Sequence, residues 1–99
     1  MAEHEVLALA QDMTIAREAF LRALPAAVGH APFTIEGNEI RPVDPTQRWR
    51  VVATPLPDLR LGLIVLPRQH VEIHLAGYDD VRRRAFLDRF ELYYRRAGG

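Results

Sequence analysis

The stretch HVEIHL at residues 70–75 constrains the fold of this chain more than any other. Aliphatic and polar side chains alternate along it, and a period of two is typical of a β-strand with one face on a core and the other toward solvent. We therefore expect the aliphatic set to point inward and the polar set to point away. The aliphatic set is Val71, Ile73 and Leu75, and the polar set is His70, Glu72 and His74.

Similar short patterns, separated by turn-forming residues, precede this stretch. Gly37 and Asn38 tolerate the positive φ that a tight hairpin needs, and the pair Pro57-Asp58 predicts a second turn. The almost unbroken aliphatic run at 61–66 puts apolar groups on both faces of its strand, so the face away from the helices is expected to expose Ile64 and Leu66. The strands expected from these patterns cover residues 33–36, 39–42, 48–55, 59–66 and 70–76.

Helical patterns occupy the two ends of the sequence. Apolar residues recur at three- and four-residue steps over 3–24, and Pro25 is expected to end that helix. Asp79 is a favourable N-cap for a second helix over 80–97. The order predicts one α+β domain over residues 1–99: a two-layer sandwich in which an antiparallel meander of four to five strands carries an N-terminal and a C-terminal helix on one face.

Composition supports a compact domain, because 48% of the 99 residues are hydrophobic. All thirteen basic residues are arginine, a bacterial-type composition typical of GC-rich genomes, and they balance thirteen acids. The longest aliphatic run is too short to span a bilayer, and the chain has no cysteine. We expect a soluble, cytoplasmic protein that does not bind membranes.

Catalytic chemistry has little support in the sequence. The chain lacks serine as well as cysteine, so the usual hydroxyl triads and thiol nucleophiles are excluded, and it has no Gly-rich phosphate loop. Glu72 and one neighbouring histidine, about 6.6 Å apart along a strand, have metal-ligand spacing, but no third ligand cluster accompanies them. We expect no catalytic residues, no cofactor and no metal site.

The remaining clue is the sheet face that two helices on one side leave open. A partly aliphatic face rimmed by charges resembles an association surface, and symmetric homodimers are the commonest outcome of such surfaces. We therefore expect a non-catalytic interaction or accessory protein that self-associates as a dimer. The same surface is also suited to another protein partner. The predicted interaction surface comprises Arg48, Arg50, Val52, Ile64, Leu66, His70, Glu72 and His74.

Two alternatives remain open. The arginines and histidines of that face are also suited to binding a small anion or a metal, with weak enzymatic activity as an extension. A stripe of Arg82, Arg89 and Arg96 on the last helix could bind an anion or track nucleic-acid phosphates. Zero net charge disfavours nucleic acid, and pairing of the stripe with acids of the N-terminal half, such as Asp12 or Glu18, is the simpler interpretation.

Overall fold

The computed structural model describes the backbone of residues 4–98 and the side chains of residues 4–95. Five strands and two helices follow one another along this part of the chain. None of its helices is long and apolar enough to cross a membrane. The elements are β1 (Glu5–Met13), α1 (Arg17–Ala27), β2 (Phe33–Glu36), β3 (Glu39–Pro42), β4 (Trp49–Leu61), β5 (Ile64–Ala76) and α2 (Asp80–Gly98).

The strands form a single antiparallel sheet with the order β1-β5-β4-β3-β2. Strands β2 to β5 make a meander, and β1 adds at the free edge of β5. Both helices pack together on one face of this sheet. The prediction of an α+β two-layer sandwich built on an antiparallel sheet is confirmed.

The core lies between the sheet and the helices. Val71, Ile73 and Leu75 are buried in it, so the inward direction predicted from their alternation is correct. Phe20 of α1 stacks on Tyr94 of α2 at 4.8 Å between ring centroids, and the Tyr94 hydroxyl donates a hydrogen bond of 2.7 Å to the Phe20 carbonyl. This buried bond fixes the two helices to each other.

The helix predicted over 3–24 is correct in its second half, where α1 lies, and wrong in its first half. Residues 5–13 form β1, which pairs with β5, and α1 begins only at Arg17. Leu9, Gln11 and Met13 lie on the core side of β1, and the polar Gln11 obscured that alternation in the sequence. Pairing with the free edge of β5 overrides the helix propensity of an Ala- and Leu-rich segment.

Pro25 does not end the first helix, because α1 continues to Ala27. The proline lies in the last turn, where its ring removes one backbone hydrogen bond while Leu24 and Ala27 remain buried. The chain leaves the helix after Ala27 through Gly29, which adopts a φ of 77°, and the His30 N–H then donates to the Pro25 carbonyl at 2.7 Å.

The strands predicted over 48–55, 59–66 and 70–76 are two long strands, β4 and β5. The turn expected at Pro57-Asp58 is a bulge in β4, and the chain reverses at Gly62 and Leu63 instead. Gly62 has a φ of 62°, as the first position of a type II′ hairpin turn requires. The prolines are tolerated because, within residues 4–98, no third strand pairs with this part of the hairpin and needs their missing N–H.

The remaining elements agree closely with the predicted ranges. β2 and β3 cover residues 33–36 and 39–42, and α2 extends one residue beyond the predicted end at 97. Asp79 caps α2, since its carboxylate accepts a 2.7 Å hydrogen bond from the Arg82 backbone N–H.

Candidate interaction surface

The side of the sheet opposite the helices, which we call the open face, is ordered by strand pairing. His74 lies opposite Leu7 of β1 and Arg50 of β4, and Glu72 lies opposite Val52. Directly paired residues of an antiparallel sheet project to the same face. The side chains of β5 at even positions therefore meet those of the neighbouring strands on the open face.

Charged and titratable side chains form a continuous chain of contacts across this face, which we call the charge network. If both histidines are protonated, positive and negative groups alternate along the whole network. Its members, in order of contact, are Arg68, Asp12, His70, Glu72, His74, Glu5, Arg50, Glu39 and Arg41.

The histidine half of the network is organised by two carboxylates. Asp12 contacts the His70 Nδ1 at 2.7 Å and accepts a hydrogen bond from Arg68 at 3.2 Å. Each Glu72 oxygen contacts one histidine: His70 Nε2 lies 3.3 Å away and His74 Nε2 lies 3.0 Å away. Strand spacing alone would keep the two histidines apart, and Glu72 bridges them.

The arginine half centres on Arg50. Its Nε and Nη2 donate to the two Glu5 oxygens at 3.1 and 2.6 Å, and its Nη1 donates to Glu39 at 2.6 Å. Glu39 also accepts hydrogen bonds from Arg41 at 3.2 and 3.3 Å. The bidentate contact with Glu5 is the strongest geometry available to an arginine–carboxylate pair. Glu5 then contacts His74 at 3.6 Å, which joins the two halves.

These contacts shift protonation toward the charged forms. The hydrogen bond from Arg50 lowers the pKa of Glu5, and the hydrogen bonds from His74 and His70 lower the pKa of Glu72. The hydrogen bonds to Asp12 and Glu72 raise the pKa of His70. At Glu5, Glu72 and His70 the neighbouring groups of the network therefore favour the charged form.

The charge network leaves few side chains unoccupied that could bind an anion or a metal ion. The Arg50 guanidinium is held between two carboxylates, so an incoming anion would have to displace one of them. Among residues 4–98 no group of three or more histidines or carboxylates is arranged to hold a metal ion. The open face thus carries charges that neutralise each other within the chain.

Beyond the network, β4 and β5 continue as an unflanked hairpin, which we call the arm (residues 56–68). Pairing of β1 with β5 ends at Met13 and Gln69, and within residues 4–98 no other strand pairs with the arm. No residue of the arm is buried, and Leu63 at its tip is fully exposed. The molecule is consequently elongated, with principal extents of 52 × 25 × 21 Å.

The arm has two different faces. Leu59 pairs with Leu66 and Leu61 pairs with Ile64, so these aliphatic side chains share one face, whereas Arg60 pairs with Val65 on the other. Leu56, paired with Arg68, extends the same side toward the charge network. We call this side the aliphatic face. It consists of Leu56, Leu59, Leu61, Ile64 and Leu66.

The predicted surface residues fall into three places. One group lies within the sheet on the open face: Arg50, Val52, His70, Glu72 and His74. Ile64 and Leu66 belong to the aliphatic face of the arm. Arg48 precedes β4 and lines a cleft of about 300 Å³ with Tyr78 and Arg82.

Sequence reasoning missed the partners of these residues. The missed members of the charge network are Glu5, Asp12, Glu39, Arg41 and Arg68, and the missed members of the aliphatic face are Leu56, Leu59 and Leu61. Glu5 and Asp12 were hidden by the helix prediction, and the arm was hidden by the turn expected at Pro57. Gly62 within LRLGLI was the available signal for the true turn.

Two members of the arginine stripe of α2, Arg82 and Arg89, contact neighbouring aromatic and backbone groups rather than the acids of the N-terminal half. The Arg82 guanidinium lies 4.6 Å from the Tyr78 ring centroid. Arg89 donates a 2.7 Å hydrogen bond to the Ala26 carbonyl at the end of α1 and stacks over Tyr93. A cation at that position also suits the negative end of the α1 dipole. The Arg96 side chain is outside the described residues.

Comparison with protein families, with curated proteins and with solved structures gave no match to this chain.

Proposed function

We propose that this protein is a non-catalytic interaction protein that self-associates as a homodimer through the side of the sheet that its helices leave uncovered. One observation carries the proposal: on that side the charged groups neutralise one another, while the aliphatic side chains of the arm are exposed. Ile64 is 58% exposed and Leu61 is 55% exposed, although both lie in regular β-strands.

Apolar contact is what this side of the molecule offers a partner. Large contiguous apolar patches rimmed by polar residues mark association sites on small proteins. The formal net charge is zero, so two copies approach one another without long-range repulsion. The lack of cysteine is in keeping with a cytoplasmic location, which we include in the proposal.

Binding of a small anion or metal has less support, because the side chains that suggested it are occupied by one another. Arg50 is held by Glu5 and Glu39, and Glu72 is held by both histidines. A catalytic role for these groups would require breaking contacts that stabilise their charged forms.

The test is the mass of the protein in solution. We expect sedimentation equilibrium between about 1 µM and 1 mM to give a mass that rises with concentration toward twice that of the chain. A mass that stays at one chain across the whole range would contradict the proposal. Addition of phosphate or zinc should leave the midpoint of thermal unfolding unchanged, whereas a clear rise would favour the ligand-binding alternative.

A further inference from the structure

We propose that the aliphatic face of the arm is the site that binds a second copy of this chain, with the two arms packed face to face in opposite directions about a two-fold axis. This inference rests on the proposed function and names the part of the surface responsible for it. The rest of the open face, with its charge network, would lie beside the contact rather than inside it.

The arm cannot be explained by the needs of its own chain. An isolated two-stranded hairpin is at best marginally stable in water, and the arm contributes no residue to the core. Its aliphatic face nevertheless carries five Leu or Ile side chains, three on β4 and two on β5, with a hydrophobic tip at Leu63. A second apolar surface against that face would stabilise both the hairpin and the contact.

Charge determines which occupant fits best. Arg68 is paired with Asp12, which leaves Asp58 and Arg60 as the other charges of the arm, one of each sign. A membrane-binding hairpin would be expected to carry a surplus of basic residues, and a nucleic-acid contact would need one too. A second copy needs neither, since the arm is neutral apart from its paired arginine and the aliphatic face is complementary to itself.

Two-fold symmetry makes the contact self-consistent. In an isologous interface the same patch is used by both copies, so an aliphatic centre meets an aliphatic centre. With the arms antiparallel, the Leu59–Leu66 pair lies near the symmetry axis. Arg60, which shares the opposite face with Val65, then points away from the contact.

The opposite faces of one strand provide a matched pair of variants. Ile64→Glu places a carboxylate on the aliphatic face, and Val65→Glu places the same group on the opposite face one residue away. We expect Ile64→Glu to raise the dissociation constant of the dimer by about 30-fold or more, and Val65→Glu to change it by less than about 3-fold. Circular dichroism should be the same for both, because neither position contributes to the core.

A second measurement does not depend on a destabilising charge. The chain has no cysteine, so Leu66→Cys introduces a unique thiol near the expected axis, and Val65→Cys introduces one on the opposite face. Mild oxidation should join two copies of the Leu66→Cys protein through a disulfide and leave the Val65→Cys protein mostly uncrosslinked.

The outcomes separate the inference from the function on which it rests. A wild-type dimer that persists in Ile64→Glu, with no crosslinking of Leu66→Cys, would overturn the role of the arm and leave self-association standing. A wild-type chain that is monomeric up to about 1 mM would overturn both. Monomeric protein that instead binds neutral or anionic lipid vesicles through Ile64 would identify a lipid surface as the occupant and would also overturn the inference.

Discussion

The two halves of the β4–β5 hairpin differ more than their shared backbone suggests. In the first half, residues 49–55 and 69–76, each strand is covered by helices on one face and crossed by the charge network on the other. In the second half, the arm, the same two strands have no flanking strand and no covering helix within the described residues 4–98. Gln69 marks the boundary, since it is the last buried residue of β5 before the arm.

This difference separates what holds the molecule together from what it can offer a partner. In the first half the core takes Val51, Ala53, Val71, Ile73 and Leu75, and the charge network takes Arg50, His70, Glu72 and His74. The aliphatic residues of the arm belong to no core and remain exposed. Stability should therefore depend on the first half and association on the second.

The largest expected contrast is between two isoleucines of β5. Ile73 is fully buried, so Ile73→Ala should lower the free energy of unfolding by about 2–5 kcal/mol through lost burial and a cavity. Ile64→Ala, measured at a concentration where the chain is monomeric, should lower it by less than about 0.5 kcal/mol. Urea unfolding followed by tryptophan fluorescence measures both. Equal losses at the two positions would remove the distinction between the halves.

A smaller contrast is expected between two arginines of β4. Arg50 makes a bidentate contact with Glu5, and Arg50→Gln should cost about 1 kcal/mol at low salt, with a smaller effect at about 1 M salt. Arg60 is exposed on the arm, and Arg60→Gln should change the free energy of unfolding by no more than about 0.5 kcal/mol. The same urea experiment at two salt concentrations tests the pair, and a salt-independent loss in Arg50→Gln would argue against the network.

The smallest expected effect is the dependence of stability on pH. The pKa of His70 is raised above its ordinary value of 6.5, so its contribution is complete below that pH and is lost as pH rises through the folded value. The pKa values of Glu5 and Glu72 are lowered from 4.5, so their contributions are present above that pH and are lost as pH falls. The network should therefore be most stabilising between the two ordinary values.

Thermal unfolding at about pH 6 and about pH 8 measures this dependence. The unfolding temperature of the wild-type protein should be lower at about pH 8 than at about pH 6. In His70→Gln the difference between the two pH values should be smaller. Titration of His70 by NMR should give a midpoint above 6.5. A His70 midpoint at or below its ordinary value would show that Asp12 and Glu72 do not hold the protonated ring.

Sequence patterns revealed the parts of the fold that are decided locally. The inward direction of Val71, Ile73 and Leu75 was predictable because a strand with one face on the core produces both their alternation and their burial. Residues 5–13 were assigned wrongly because their strand state depends on the free edge of β5, which no local pattern contains.

The charge network was predictable only in part for the same reason. Its contacts join residues as distant as Asp12 and His70, which are 58 positions apart, and Glu5 and Arg50, which are 45 apart. The arm was missed because proline predicts turns in ordinary strands. In an unflanked hairpin the missing N–H of Pro57 and Pro67 has little cost.

Amide hydrogen exchange at two protein concentrations tests the central claim most directly. At low concentration the amides of residues 58–66 should exchange much faster than those of residues 70–75, because the arm opens without disturbing the core. At high concentration protection should rise in the arm and stay unchanged in residues 70–75. Arm protection that does not depend on concentration, or a concentration effect confined to the charge network, would contradict the account.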